Sequence, residues 1–343
     1  MYETHNNTAF QNLSDFDNFS IQEETNFKRV LLSPEYSTPI PADELILSWN
    51  ASLSGESALN VEIRALCSGV WSRFYILGKW SLNASAFPRE SITGQKDDMG
   101  EVNTDTLSLT NPAQSVQLRI TLLAVEGAAI PALKLLSLCY TDTSSALQSL
   151  PPEKAAWGYE LTVPAKSQLG WQDGNGWCSP TSTAMVLAFW AEKLNRLELD
   201  VTVPTAARAV YDRVWEGTGN WPFNTAYAGS FEGMIAYVTR LSDITELETL
   251  ILAGAPPVAS VSYDLLKGKE KAGDSGHLMV CCGFTADGDI VLNDPYYHAD
   301  QGEVCRRVFS RERFIFGWKH SRNLIYLIYP DSFSIPSSLY NHW

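Results

Sequence analysis

The sequence predicts an α+β fold preceded by an antiparallel β-sandwich, on three observations. From about residue 29 to 142, short runs of alternating apolar and polar residues are spaced by Gly, Pro, Asn and Ser clusters, with no helical stretch between them. Residues 143–154 break this pattern with a polar stretch carrying a proline pair. Beyond it helical patterns come first and strand patterns follow, the order of an α+β chain rather than of alternating βαβ units. The 343 residues suffice for two domains, and 45% hydrophobic against 19% charged residues supports packed cores and excludes wholesale disorder.

Residues 1–28 are polar, rich in Asn and Thr, and expected to form a loosely held tail. Residues 29–142 are the sandwich. Val61, Ile63, Ala65 and Cys67 alternate with Glu62, Arg64 and Leu66, and Val116, Leu118, Ile120 and Leu122 with Gln117, Arg119 and Thr121. A period of two sends one set to a core face and the other toward solvent. Leu45–Trp49, Arg73–Leu77, Thr106–Leu109 and Ala132–Cys139 are further strands, and Trp49, Trp71, Tyr75 and Trp80 are expected in the core. Residues 143–154 are the linker and 155–330 the second domain. Helices are expected over Pro180–Leu194, Thr205–Val214, Phe231–Leu241 and Ile244–Ala253. Strands are expected over Pro257–Tyr263, His277–Phe284, Asp289–Asn293, Val304–Phe309 and Asn323–Tyr329. Gly217–Tyr227 reads as an aromatic, glycine-rich loop of the kind that lines clefts, Leu265–Gly276 as a solvated loop running into His277, and residues 331–343 as a C-terminal tail.

Composition narrows the function. A net charge of -14, from 39 acidic and 25 basic residues, repels phosphate backbones, so nucleic acid is not an expected partner. No run approaches the roughly 18 apolar residues of a membrane helix. The start, Met1-Tyr-Glu-Thr-His-Asn-Asn, has neither the basic nor the apolar region of a signal peptide, which leaves a cytoplasmic default. Five histidines without ligand spacing, and the absence of phosphate- or dinucleotide-binding glycine loops, predict neither metal nor cofactor. Gly273-Asp-Ser-Gly276 mimics a serine-nucleophile loop, but that chemistry needs an upstream histidine and only His5 precedes Ser275.

Cys178 carries the stronger signal, at the end of a Gly- and Asp-rich loop and just before an apolar helix, with Ser179 as the expected N-cap and Pro180 at the first helical position. A thiol there meets the positive end of a helix, which favours the nucleophilic thiolate. Such a nucleophile needs a base, and the base an orienter. His277 opens one strand of an expected hairpin, and Asn293 and Asp294 close the other. A loop centred near Ala286 sets His277 within about one rung of Asp294. A two-residue turn at Asp287-Gly288 would instead set His277 opposite His298. Trp177 and Trp221 are candidate substrate-binding aromatics, with ordinary core packing as the alternative.

The motifs Trp177-Cys-Ser-Pro-Thr-Ser182, Gly276-His-Leu-Met-Val280 and Gly288-Asp-Ile-Val-Leu-Asn-Asp-Pro295 resemble those of the C39-like cysteine peptidases, relatives of bacteriocin-leader peptidases. The resemblance covers about residues 155–330. Leu47-Ser-Trp-Asn50, Leu77-Gly-Lys-Trp80 and Asn103-Thr-Asp-Thr-Leu107 are similar to the β-sandwich that precedes this domain in some members. The resemblance implies a papain-like domain with Cys178 as nucleophile, His277 as general base and then acid, and Asp294 as orienter, Asn293 being the alternative orienter. It implies an oxyanion donor at Gln172, by its spacing of six from Cys178, or at Gln168, which fits the Pro-x-x-Ser-Gln approach of the closer relatives. A peptide or protein substrate follows, with a catalytically silent binding protein, an acyltransferase or an amidase as alternatives. The membrane-spanning export segments of the leader peptidases are missing here, so bacteriocin maturation is not implied. Of the remaining cysteines, Cys281 and Cys282 face opposite sides of one strand and cannot pair without distorting it, whereas Cys67 and Cys139 lie in sandwich strands that could bring them together.

Overall fold

The computed structural model describes residues 7–147, 149–273 and 276–343. His5, Gln148 of the expected linker, and Asp274 and Ser275 of the loop before His277 lie outside the described residues. The chain is α+β, with one antiparallel sheet in its front half and a second, carrying the helices, behind it.

The front sheet has ten strands: β1 (Thr8–Leu13), β2 (Ser20–Glu24), β3 (Lys28–Leu32), β4 (Tyr36–Ser52), β5 (Ser57–Cys67), β6 (Val70–Trp71), β7 (Tyr75–Ser81), β8 (Gly100–Asn103), β9 (Thr106–Ala124) and β10 (Ala132–Thr141). The two separate runs expected at 106–109 and 116–122 are one 19-residue strand. β9 changes partners along its length, pairing with β8 and β4 at its start and with β5 and β3 further on. The alternation read at 61–67 holds, with Val61, Ile63 and Ala65 fully buried. Trp49, Tyr75 and Trp80 are core residues, as expected, whereas Trp71 is only half-buried, with the Arg64 guanidinium over its ring.

The expectation of a loose tail over 1–28 does not hold for its described part. β1 pairs with β10 in register from Thr8↔Thr141 to Leu13↔Leu136, and buries Ala9 and Phe10. The polar composition misled because the strand's pairing partner lies far along the chain, so what buries Ala9 and Phe10 cannot be seen in the neighbouring sequence. The C-terminal segment is likewise docked. His342 is fully buried, its Nδ1 is 2.8 Å from Glu246 Oε1, and Thr239 donates to its carbonyl oxygen.

The second half begins with α1 (Cys178–Leu194), α2 (Val203–Val210) and α3 (Trp221–Ala228). Then follow β11 (Met234–Arg240), α4 (Ile244–Ala253), β12 (Val258–Ser262), the short α5 (Tyr263–Leu266), β13 (Gly276–Phe284), β14 (Ile290–Asn293), β15 (Arg306–Phe309), α6 (Arg311–Trp318) and β16 (Leu324–Pro330). The strands form a six-stranded antiparallel sheet in the order β11-β16-β12-β13-β14-β15. The helix expected over Phe231–Leu241 is the strand β11. It is buried on both faces, so its apolar residues run on without a period of two, and periodicity alone does not separate such a strand from a buried helix. The expected loop over 217–227 contains α3, begun by Asn220, whose side chain accepts from the Phe223 N–H, and by Pro222 in the first turn. Among the described residues no helix is long and apolar enough to cross a membrane.

The two sheets share a continuous hydrophobic core. Asn50 of β4 brackets Ala236 of β11, donating to its carbonyl at 2.7 Å and accepting from its N–H at 3.0 Å, and Ser48 Oγ accepts from the Val238 N–H. Phe223 of α3 packs between Trp49 and Trp80 at ring-centroid distances of 6.1 and 5.4 Å. Buried Arg240 donates to Thr141 Oγ1 and pairs with Glu44 at 3.1 Å. All six cysteines are free, Cys67 and Cys139 included.

Candidate active site

α1 starts at Cys178 itself, two residues earlier than expected. Trp177 is the N-cap, without a side-chain cap, and Ser179 is not: its hydroxyl is buried 2.8 Å from Tyr326 Oη. Every residue from Ser179 to Ala191 is buried, so the helix is a fixed support for the thiol. Ser182 ties it to the sheet by donating to the Leu278 carbonyl at 2.9 Å, one residue from His277. The loop before Cys178 is equally constrained. A Cβ at Gly174 would stand 1.7 Å from the Gln168 carbonyl oxygen, so only glycine fits there.

His277 comes from the start of β13, opposite Val261 of β12. The β13–β14 register lies between the two hairpins the sequence allows. Phe284 pairs with Ile290, and an irregularity between Cys281 and Gly283 shifts the pairing so that Val280 faces Asn293. Asp294 leaves the end of β14 and reaches back, its Oδ1 2.8 Å from His277 Nε2. Asn293, its neighbour, points elsewhere and donates to the Val163 carbonyl at 3.0 Å.

With Nε2 held by Asp294, Nδ1 is the ring nitrogen left for Cys178, and the two groups shift each other. Burial, the largest influence on Cys178, works to raise its pKa, but the hydrogen bond and charge of His277, with the Leu278 and Ser179 N–H groups, bring it below the ordinary thiol value. On His277 burial acts against the charged form. Hydrogen bonds to Asp294 and Cys178 overcome it and raise the imidazole to about 9. Both shifts favour a thiolate–imidazolium pair. Asp294 is fully buried, which opposes its charge, yet the His277 and Tyr263 side chains and the Tyr296 N–H hold it below the usual carboxylate range.

Tyr263 was not singled out by sequence. Its hydroxyl donates to Asp294 Oδ2 at 2.6 Å, and its ring lies 4.3 Å from that of His277. It closes an expected strand as an ordinary aromatic, and nothing in its surroundings marks it. Tyr296 had a weak signal in directly following Asp294-Pro295. Lys267 extends the stack, its Nζ 3.8 Å from the Tyr263 ring centroid.

Of the two glutamines, Gln168 is buried in the wall of the cleft beside Cys178, whereas Gln172 is exposed and outside it. Gln168 Nε2 donates to the carbonyls of Gly174 and Asn175 at 3.0 and 2.9 Å. Both its N–H bonds therefore brace the loop before Cys178, and its Oε1 is left without a partner. Trp221 lines the cleft; Trp177 is half-buried beside Cys178 and does not. The cleft has a volume of about 960 Å³, and Cys178, His277, Tyr263 and Tyr296 share it with Trp215 of the loop before α3. Among the described residues no group of three or more His, Cys, Asp or Glu side chains is placed to hold a metal ion.

Residues 160–324 match the model of the Peptidase_C39 like family, and residues 11–141 that of the Peptidase C39 N-terminal domain. A search of curated proteins finds no match. Among solved structures, a protein from Bacillus anthracis described as a C39-like peptidase is 17% identical, covering 48% of this chain and 94% of its own, with a TM-score of 0.37. A carbohydrate-binding module of the β-sandwich superfamily is 14% identical, covering 40% of this chain and 57% of its own, with a TM-score of 0.15. Each half is thus similar to a domain of the C39-like peptidases, residues 160–324 to the peptidase domain and residues 11–141 to the N-terminal domain.

Proposed function

We propose that the chain is a thiol hydrolase that cleaves a peptide or isopeptide bond, with Cys178 as nucleophile, His277 as general base and acid, and Asp294 as orienter. One observation carries the reading: the His277 ring is divided between Asp294 and Cys178, with the thiol pKa lowered and the imidazole raised. The Cys178 thiolate attacks the substrate carbonyl carbon and forms a C–S bond. The developing oxyanion is received by the Cys178 N–H, which as the first residue of α1 has no intrahelical partner. Gln168 keeps that loop in place. As the C–N bond breaks, His277 Nδ1–H protonates the leaving amine. Water then attacks the thioester, giving its proton to His277 and releasing the carboxylic acid and the thiolate. Asp294, held by three donors, keeps Nε2 protonated and Nδ1 aimed at sulfur throughout.

The test is alkylation by iodoacetamide from pH 5 to 9 with mapping of the labelled residue. Selective labelling of Cys178 that persists below pH 7 and is lost in His277→Ala is expected. Slow labelling of several cysteines, with the pH profile of an ordinary thiol of pKa about 8.5, would sink the proposal.

A further inference from the structure

We propose that the substrate's polypeptide chain is bound across the two halves of the molecule, with the β8–β9 turn of the N-terminal domain forming one wall of the catalytic cleft. This rests on the reading of Cys178 as the nucleophile. Asn103, Thr104 and Ser108 of the front sheet line the same cleft as Cys178 and His277. Among the described residues these three side chains make no hydrogen bond, although each carries a donor and an acceptor, whereas Asp105 between them accepts from the Trp221 N–H at 2.7 Å and Glu44 holds Arg240 and Arg322.

The turn is also strained. Thr104 sits at φ 60°, a left-handed conformation that a β-branched residue rarely adopts and that glycine would adopt freely. Across the domain boundary Glu216, also in the cleft, has φ 56°. Strain of this kind persists where surrounding structure over-determines it, and the Asp105–Trp221 bond supplies that constraint by fastening the turn to the start of α3. The chemistry of the wall fits an extended polypeptide. Each residue of such a chain presents an N–H and a C=O, which short amide and hydroxyl side chains can satisfy, while its side chains find the half-exposed rings of Trp215 and Tyr296. The N-terminal domain is then part of the substrate site, and the peptidase domain alone has an incomplete cleft.

Two thiol reagents separate this wall from the nucleophile. Iodoacetamide needs only the Cys178 thiolate. A tetrapeptidyl chloromethyl ketone, from a panel varied in sequence, undergoes the same displacement of halide by sulfur but must also bind as a peptide. The quantity read is the ratio of their second-order rates on the full chain. In wild type the best ketone is expected to be well ahead. In the Asn103→Ala/Thr104→Ala/Ser108→Ala variant the iodoacetamide rate stays within about twofold, while the ratio falls by about 100-fold for three lost hydrogen bonds. Thr104→Gly guards against a folding artefact: it relieves the left-handed strain and raises Tm, yet still lowers the ratio. A ratio unchanged in either variant, or no ketone faster than iodoacetamide in wild type, overturns the proposal. An ordinary-thiol pH profile with iodoacetamide overturns the thiol-hydrolase reading instead, and the ratio still scores the wall.

Discussion

Tyr263→Phe removes one oxygen atom from the site and leaves the ring beside His277. The lost hydroxyl is the 2.6 Å partner of Asp294 Oδ2, and Asp294 is fully buried, so water cannot take its place. Oδ1 keeps His277 Nε2 at 2.8 Å and the Tyr296 N–H at 2.9 Å. A hydrogen bond to a buried charged group contributes about 1.5–3 kcal/mol, so a destabilisation of about 2 kcal/mol is expected at pH 7. The loss should depend on pH with a definite sign. The folded-state pKa of Asp294 is depressed, so its contribution is present above the unfolded value of about 3.9 and is lost as the pH falls through the folded value. Removing a donor lessens the depression, so the gap between variant and wild type is widest at neutral pH and narrows below about pH 4. Urea unfolding at several pH values measures both quantities. In parallel, peptide cleavage should fall about tenfold, because a carboxylate free to turn no longer fixes the imidazole. A gap below about 0.5 kcal/mol, constant with pH, would refute the reasoning.

Two further outcomes follow from the junction between the halves. Burial raises the Asp105 carboxyl to about 7 against the hydrogen bonds it accepts from Trp221 and Thr106, so its share of stability is fully present below about pH 4 and is lost as the pH rises through about 7. Asp105→Asn should remove up to about 4 kcal/mol of that pH-dependent loss; unfolding curves of variant and wild type that run parallel from pH 4 to 8 would contradict it. Asn50→Ala leaves the buried N–H and C=O of Ala236 without partners and should cost about 2–4 kcal/mol in urea unfolding of the full chain, whereas a cost under about 1 kcal/mol would mean that the halves hold together without this bracket.

The α+β class, the helix after Cys178 and the order of Cys178, His277 and Asp294 were legible in the sequence because each depends on local pattern: a period of two, a glycine-rich loop before an apolar run, a hairpin turn at Thr285–Asp289. Local pattern failed where burial came from distant chain. β11 looked helical because residues of the front sheet pack against it, and Thr8–Leu13 looked loose because β10, more than a hundred residues away, supplies its hydrogen bonds. At the site, the hairpin arithmetic allowed two registers, and an irregularity between Cys281 and Gly283 set one that lies between them, which no residue count gives. Tyr263, the fate of Asn293 and the separation of Gln168 from Gln172 depend on side-chain directions fixed only when β12, β13 and β14 lie side by side. Which groups could carry thiol chemistry is read from the chain alone, because ionisable and nucleophilic side chains are few and their order is given directly. Which atoms meet, and that residues of the front sheet line the cleft around Cys178, emerges from the folded chain, because contacts between distant segments are set by packing and not by the spacing of residues along the chain.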